Sequence, residues 1–259
     1  MIEGKDAQAQ EEPPIETAPP KIAAPAVRDP EISFDKSLAH VQNKDGSMRL
    51  RPLAYVTRKK LDPIGKISYS SVPRIELILS DTAYLEFFNK TKVTVGDRYH
   101  IIETVQVVSD PDKSMHSYGT MYRKNAVLQV IAITGNVVEA KIVGGDRSVR
   151  RGDVFVPYVD EVRAIKPIDA KKNISAKIIA TEYAFINAGK AQGVTEGMRF
   201  YVVKRGDGVF QGDDDEKLPF VVIGTCVVAE VFENNATVYV SDLKETLEVG
   251  MQVRSVVKR

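Results

Sequence analysis

The feature that most constrains this chain is a repetition. Residues 83–101, AYLEFFNKTKVTVGDRYHI, align without a gap on residues 184–202, AFINAGKAQGVTEGMRFYV. Ala83 meets Ala184, Tyr84 meets Phe185, Val93 meets Val194, Gly96 meets Gly197, Arg98 meets Arg199 and Tyr99 meets Phe200. A one-residue slip turns every side chain of a strand to its other face, so apolar positions that recur in register mark duplicated strands. A second pair of segments aligns at a slightly different offset. VIAITGNVVEAKIVGGDRSVRRGDVF, from Val130, lies over VAEVFENNATVYVSDLKETLEVGMQV, from Val228, with Asn136 on Asn234 at a hairpin turn and Gly152 on Gly250 before the closing strand. The variable part lies between these halves, as loops do.

The rest of the chain agrees with a β architecture. From about residue 38, short runs rich in Val, Ile and Tyr, such as RIELILS, AYLEFF, AVLQVIAI, AKIIATEYAFI and ATVYVSD, alternate with Gly, Asn and Asp. Alternation and β-branched content predict strands, and their spacing predicts small barrels or sandwiches. Helical periodicity is weak, with short candidates only around residues 31–43. The expected organisation is a disordered tether over 1–30, a first β-domain with an N-terminal extension over 31–160, a linker over 161–172 and a second β-domain over 173–259. The tether follows from EEPPIETAPPKIAAPAVRDP, whose six prolines and scarce large apolar side chains cannot offset the entropy of ordering. The opening MIEGKDAQAQ has no signal-peptide core. It fits either a cytoplasmic start or a chain from which a leader or upstream domain was removed.

Gly96, Gly152, Gly197 and Gly250 each follow a polar turn and precede a strand, where positive φ favours glycine. Tyr99 and Phe200 are expected in the cores. Arg98 and Arg199 alternate with those aromatics and should face outward or pair at the rim; a binding role is the alternative. The most basic segment, RLRPLAYVTRKK over residues 49–60, offers Arg58, Lys59 and Lys60 as partner-binding residues. Its plainer reading is a solvated surface strand, because Tyr55 is its sole stacking aromatic.

Chemistry is harder to find. The net charge of +1 gives no overall pull toward nucleic acid or an anionic membrane. One cysteine, Cys226, rules out an intrachain disulfide and a cysteine zinc cage, and its setting in VVIGTCVVAEV predicts burial. The three histidines, His40, His100 and His116, lack metal-ligand spacing. His100 aligns with Tyr201 and reads as a strand-face residue. The acidic run GDGVFQGDDDEK over 206–217 lacks the spacing of an EF-hand loop and reads as a solvated hairpin tip. A calcium site there, or a metal-dependent hydrolase built on it, is the minor alternative. Arg151-Gly152-Asp153 occupies the turn where the second copy has Glu248-Val249-Gly250-Met251, which favours a structural turn over an adhesion motif. No cofactor and no small-molecule substrate are expected.

Two resemblances extend this reading. The block from GKISYSS through DTAYLEF, VGDRYHI, SYGTMYRKNAVLQVIAI and VEAKIV to RRGDVFVPY, roughly residues 64–158, resembles the tail region that follows LysM domains in some bacterial envelope proteins. ISAKIIATEYAFINAGKAQGVTEGMRFYVVKR with IGTCVVAEVFENNATVYVSDLKETLEVGMQVRS, roughly 173–259, resembles the C-terminal domain of flagellar assembly protein T. The resemblances imply an extracytoplasmic, non-catalytic role; they transfer no functional residue, and no LysM module is present in these residues to carry glycan binding. The expected function is a non-enzymatic scaffold or adaptor of the bacterial envelope, periplasmic or envelope-associated. Its partners would be envelope or outer-membrane-associated proteins, with peptidoglycan or the flagellar motor as the site of assembly. The alternative is a nucleic-acid-binding module using residues 49–60.

Overall fold

A computed structural model of the 259-residue chain describes residues 40–42, 47–113, 115–160, 162–205 and 218–257. The expected tether over 1–30 and the acidic run 206–217 lie outside the described residues. In chain order, a leading group comprises β1 (His40–Gln42), β2 (Met48–Leu50) and β3 (Ala54–Thr57). There follow β4 (Gly65–Ser70), β5 (Glu76–Leu77), β6 (Thr82–Phe87), β7 (Arg98–Ser109), β8 (Ser117–Thr134), β9 (Val137–Gly145), β10 (Val149–Arg150) and β11 (Val154–Pro157). After β12 (Arg163–Ile165) come β13 (Ser175–Ala180), β14 (Phe185–Ile186), β15 (Arg199–Arg205), β16 (Phe220–Val231), β17 (Ala236–Ser241) and β18 (Gln252–Ser255).

These strands close two six-stranded antiparallel barrels with one circular order. The first runs β4-β6-β9-β8-β7-β11 and returns to β4; the second runs β13-β14-β17-β16-β15-β18 and returns to β13. Closure removes free sheet edges. The duplication is visible bond by bond. Gly96 N–H donates to Val130 O at 2.9 Å, and Gly197 N–H to Val228 O at 2.9 Å. Gly152 N–H donates to Ile67 O and Gly250 N–H to Ile178 O, both at 2.8 Å. All four glycines have φ between +82° and +98°, the region their turns require.

Each barrel has its own core. Tyr99 packs on Phe155 and Phe87, with ring centroids 5.1 and 5.6 Å away, among Ile67, Leu85, Ile101 and Leu128. Phe200, its counterpart, is fully buried among Ile178, Ile186, Val202, Ile223 and Val253.

The copies differ where loops differ. Sixteen positions separate Ile67 from Ala83, whereas six separate Ile178 from Ala184, so the first copy carries a ten-residue insertion. It contains β5, which pairs with β10 across the barrel end. RIELILS is therefore mostly loop rather than strand, and AKIIATEYAFI is broken by a turn over residues 181–184.

The barrels are stitched to each other by segments that local sequence pattern places at the periphery. β3 adds to the outside of β8, and Val56 with Leu53, Val108, Tyr118 and Met121 packs on Ile179, Tyr183 and Phe185 of the second barrel. Half of the basic segment 49–60 is thus seam rather than solvated strand, because its apolar residues Leu50, Leu53, Ala54 and Val56 find a partner surface. The stretch 161–172 is likewise not a plain linker. Its residues Arg163–Ile165 form β12, which pairs with β2 and sets Ile165 beside Met48 and Leu50 against Val227, Ala229 and Tyr239. Within the helix candidate 31–43, residues 40–42 are strand β1, paired to β2 through Val41 and Arg49; the remainder lies outside the described residues.

Candidate functional site

At the seam a groove of about 280 Å³ is lined by Tyr55, Thr57, Lys59, Lys60, Leu61, Asp62, Tyr122 and Phe232. Its floor follows from strand register. Tyr55 on β3 stands opposite Tyr122 on β8, so both side chains leave the same face, with ring centroids 5.6 Å apart and planes 36° from parallel. The Tyr122 hydroxyl accepts the Leu61 N–H at 3.2 Å, holding the chain that carries Lys59 and Lys60 over the rings. Phe232 comes from the second barrel, on the loop between β16 and β17. That loop is braced by the Lys190 and Ala191 N–H groups, which donate to Phe232 O and Glu233 O. Lys59 and Lys60 are exposed at the rim.

Beside the floor, buried Lys124 and half-buried Glu230 bring opposite charges from the two barrels. Lys124 donates to Pro52 O at 3.3 Å and lies 5.6 Å from the Tyr55 ring centre. Burial pushes its ammonium down to about 8, against the opposing pull of Glu230 on β16. Burial likewise raises the Glu230 carboxyl, while Lys124 and Arg163 draw it back down. Each group favours the charged form of the other, an electrostatic attraction between β8 and β16. A second tie uses Arg123, almost wholly buried, whose guanidinium reaches Glu103 within its own barrel and Glu182 in the other; Arg147 also donates to Glu182 at 2.9 Å.

The other candidate residues are dispersed. Arg58 donates through Nε and Nη2 to Ser117 O at 3.2 and 2.6 Å, so it braces the start of β8 and does not line the groove. Arg98 is exposed with its guanidinium 5.9 Å from the Tyr158 ring centre. Arg199 donates to Asp169 at 2.8 Å and lines a polar cleft of about 720 Å³ with Tyr201, Thr225, Tyr239 and Asp242. The twin arginines thus occupy equivalent positions but hold different partners. His100, stacked 4.6 Å from Tyr158, meets Val159 O at 3.2 Å through Nε2. Burial drives its imidazole down to about 4, so it is neutral at pH 7. Cys226 is wholly buried, and burial pushes its thiol up to about 12, far from a reactive thiolate.

Tyr122, Lys124 and Phe232 were not singled out by sequence reasoning. A signal for the first two existed: YRKN interrupts the long apolar strand SYGTMYRKNAVLQVIAIT, and polar groups inside such a strand need buried partners. For Phe232 the only clue is its alignment with Thr134 in the first copy. Chemically, the groove offers flat apolar walls and two flexible ammonium groups. It suits an extended segment that carries apolar side chains and anionic groups. Compared with known proteins, the chain matches no family model, and no curated protein matches it.

Proposed function

We propose that this chain is a non-catalytic adaptor of a bacterial cell envelope, holding a protein partner on the groove between its barrels. One observation carries the reading: the groove takes its walls from both barrels, so it exists only where they are joined. An adaptor needs a surface held in fixed shape, and the seam supplies one through Val56, Met121 and Phe185 beneath it. The compartment rests on the resemblance of both copies to envelope domains. The test is site-specific cross-linking from Lys60 in envelope fractions. A specific envelope adduct lost in Phe232→Ser and retained in Arg98→Ala is expected; adducts with cytoplasmic proteins alone would refute the reading.

A second reading, nucleic-acid binding, gains from the same geometry, since Tyr122 and Phe232 stand beside the lysines where the segment itself offered only Tyr55. It requires salt-dependent binding of a single-stranded oligonucleotide that weakens in Lys59→Ala with Lys60→Ala. The adaptor reading expects no such binding.

A further inference from the structure

The ten-residue insertion of the first copy presents an apolar surface on a rigid support. Ile75, Ile78 and Leu79 are 79%, 49% and 58% exposed, and Tyr69, at the end of β4 that leads into the insertion, is 70% exposed. Exposed aliphatic side chains on a mobile loop would carry little information. These, however, are held. Leu77 between them is fully buried in the first barrel's core. Asp81, itself buried, accepts the Ile78 N–H at 2.8 Å and the Arg74 guanidinium at 2.7 Å. Ser80, at φ +74°, donates its N–H to Ile142 O at 2.9 Å. Glu76 is engaged by Arg150 and by Ser148 Oγ at 3.1 Å.

The charges decide what such a surface fits. Arg74 is neutralised by Asp81 and Glu76 by Arg150, so the loop can leave bulk water without stripping an unpaired ion. Of the three arginines around this loop, Arg74 and Arg150 hold carboxylates, whereas Arg151, exposed in the turn before β11, donates through Nη2 to Val72 O at 3.4 Å at the base of the loop. Aliphatic tips, a neighbouring tyrosine and one exposed guanidinium at the base match the depth profile of a membrane surface: acyl chains, then the interface, then phosphate. Nucleic acid would call for several free cations rather than an apolar tip. We infer that the 71–80 insertion with Arg151 is a lipid-binding surface, seating Ile75, Ile78 and Leu79 in the acyl boundary and Arg151 on a headgroup phosphate. The inference is independent of the groove and its occupant. It also gives Arg151, of the Arg-Gly-Asp turn, a contact of its own.

The test is co-sedimentation of the full 259-residue chain with vesicles of phosphatidylcholine, with and without phosphatidylglycerol. Binding to both, tighter with phosphatidylglycerol, is expected. Ile75→Ser with Leu79→Ser should weaken it about tenfold or more, since each aliphatic chain contributes by the area it removes from water. Arg151→Gln should abolish the preference for phosphatidylglycerol and leave binding to phosphatidylcholine. Because the serines replace exposed side chains, the melting temperature should not move; if it does, Ile75→Ser alone, at the most exposed of the three positions, carries the same comparison. Absence of binding to either vesicle, or binding indifferent to the serines, overturns the inference. So does sedimentation velocity showing that the serines abolish self-association while vesicle binding is absent, which would make the loop an interface between copies of this chain.

Discussion

Four glycines at equivalent turns should not respond equally to alanine, and the difference can be worked out from their surroundings. Gly96, Gly152 and Gly250 have φ of +98°, +91° and +94°. A Cβ built on Gly96 or Gly152 meets nothing within 4 Å, and one on Gly250 only touches Pro111 at 4.0 Å. At these three, alanine suffers the left-handed backbone alone, about 1–2 kcal/mol. Gly197 has φ +82°, but its Cβ would lie 2.4 Å from Lys166 O. That carbonyl cannot easily retreat, because the same segment donates the Ile168 N–H to Gly197 O at 2.8 Å. Relieving the overlap adds roughly 1–3 kcal/mol, so Gly197→Ala should cost about twice as much as Gly96→Ala. With about 2–4 °C of melting temperature per kcal/mol for a chain of this size, the gap is several degrees. Urea unfolding followed by circular dichroism, with all four variants measured together, reads it. Four equal losses, or a larger loss at Gly96, would refute the steric argument and with it the tight apposition of the β12 segment to the second barrel.

Two further outcomes follow from buried ionisable groups. His100 has its folded pKa near 4, below the ordinary value of 6.5, so the unfolded chain binds its proton first. Stability should be intact above pH 6.5 and fall as pH drops toward 4, by roughly 3 kcal/mol at most; His100→Gln should flatten that part of the urea-midpoint profile. Arg123→Met should lower stability by about 2–3 kcal/mol in urea unfolding. It leaves Glu103 and Glu182 without their shared buried cation, and their partial exposure, with Arg147 still on Glu182, keeps the loss below that of a fully buried pair.

The duplication, the four glycine turns and the placement of Tyr99 and Phe200 in separate cores were legible in the sequence, because each is written locally as period-two alternation and a glycine before a strand. The seam was not. Val56 and Phe185, or Tyr55 and Phe232, are joined only after both barrels close, and nothing near Val56 indicates what will cover it. The same blindness made residues 161–172 a linker, since three residues of alternation are too short to announce a strand. It also left Lys59 and Lys60 without the aromatics that stand beside them. Local pattern specifies each barrel, whereas the groove arises from tertiary pairing over more than a hundred residues.

That separation bears on how the chain is made. A ribosome delivers β11, the last strand of the first barrel, before any strand of the second has left the exit tunnel. A first barrel that closes at that moment holds Val56, Tyr118 and Met121 in water until β13 and β14 arrive to cover them. The seam is thus a vulnerability of the nascent chain before it is a strength of the finished one, a temporary sticky face.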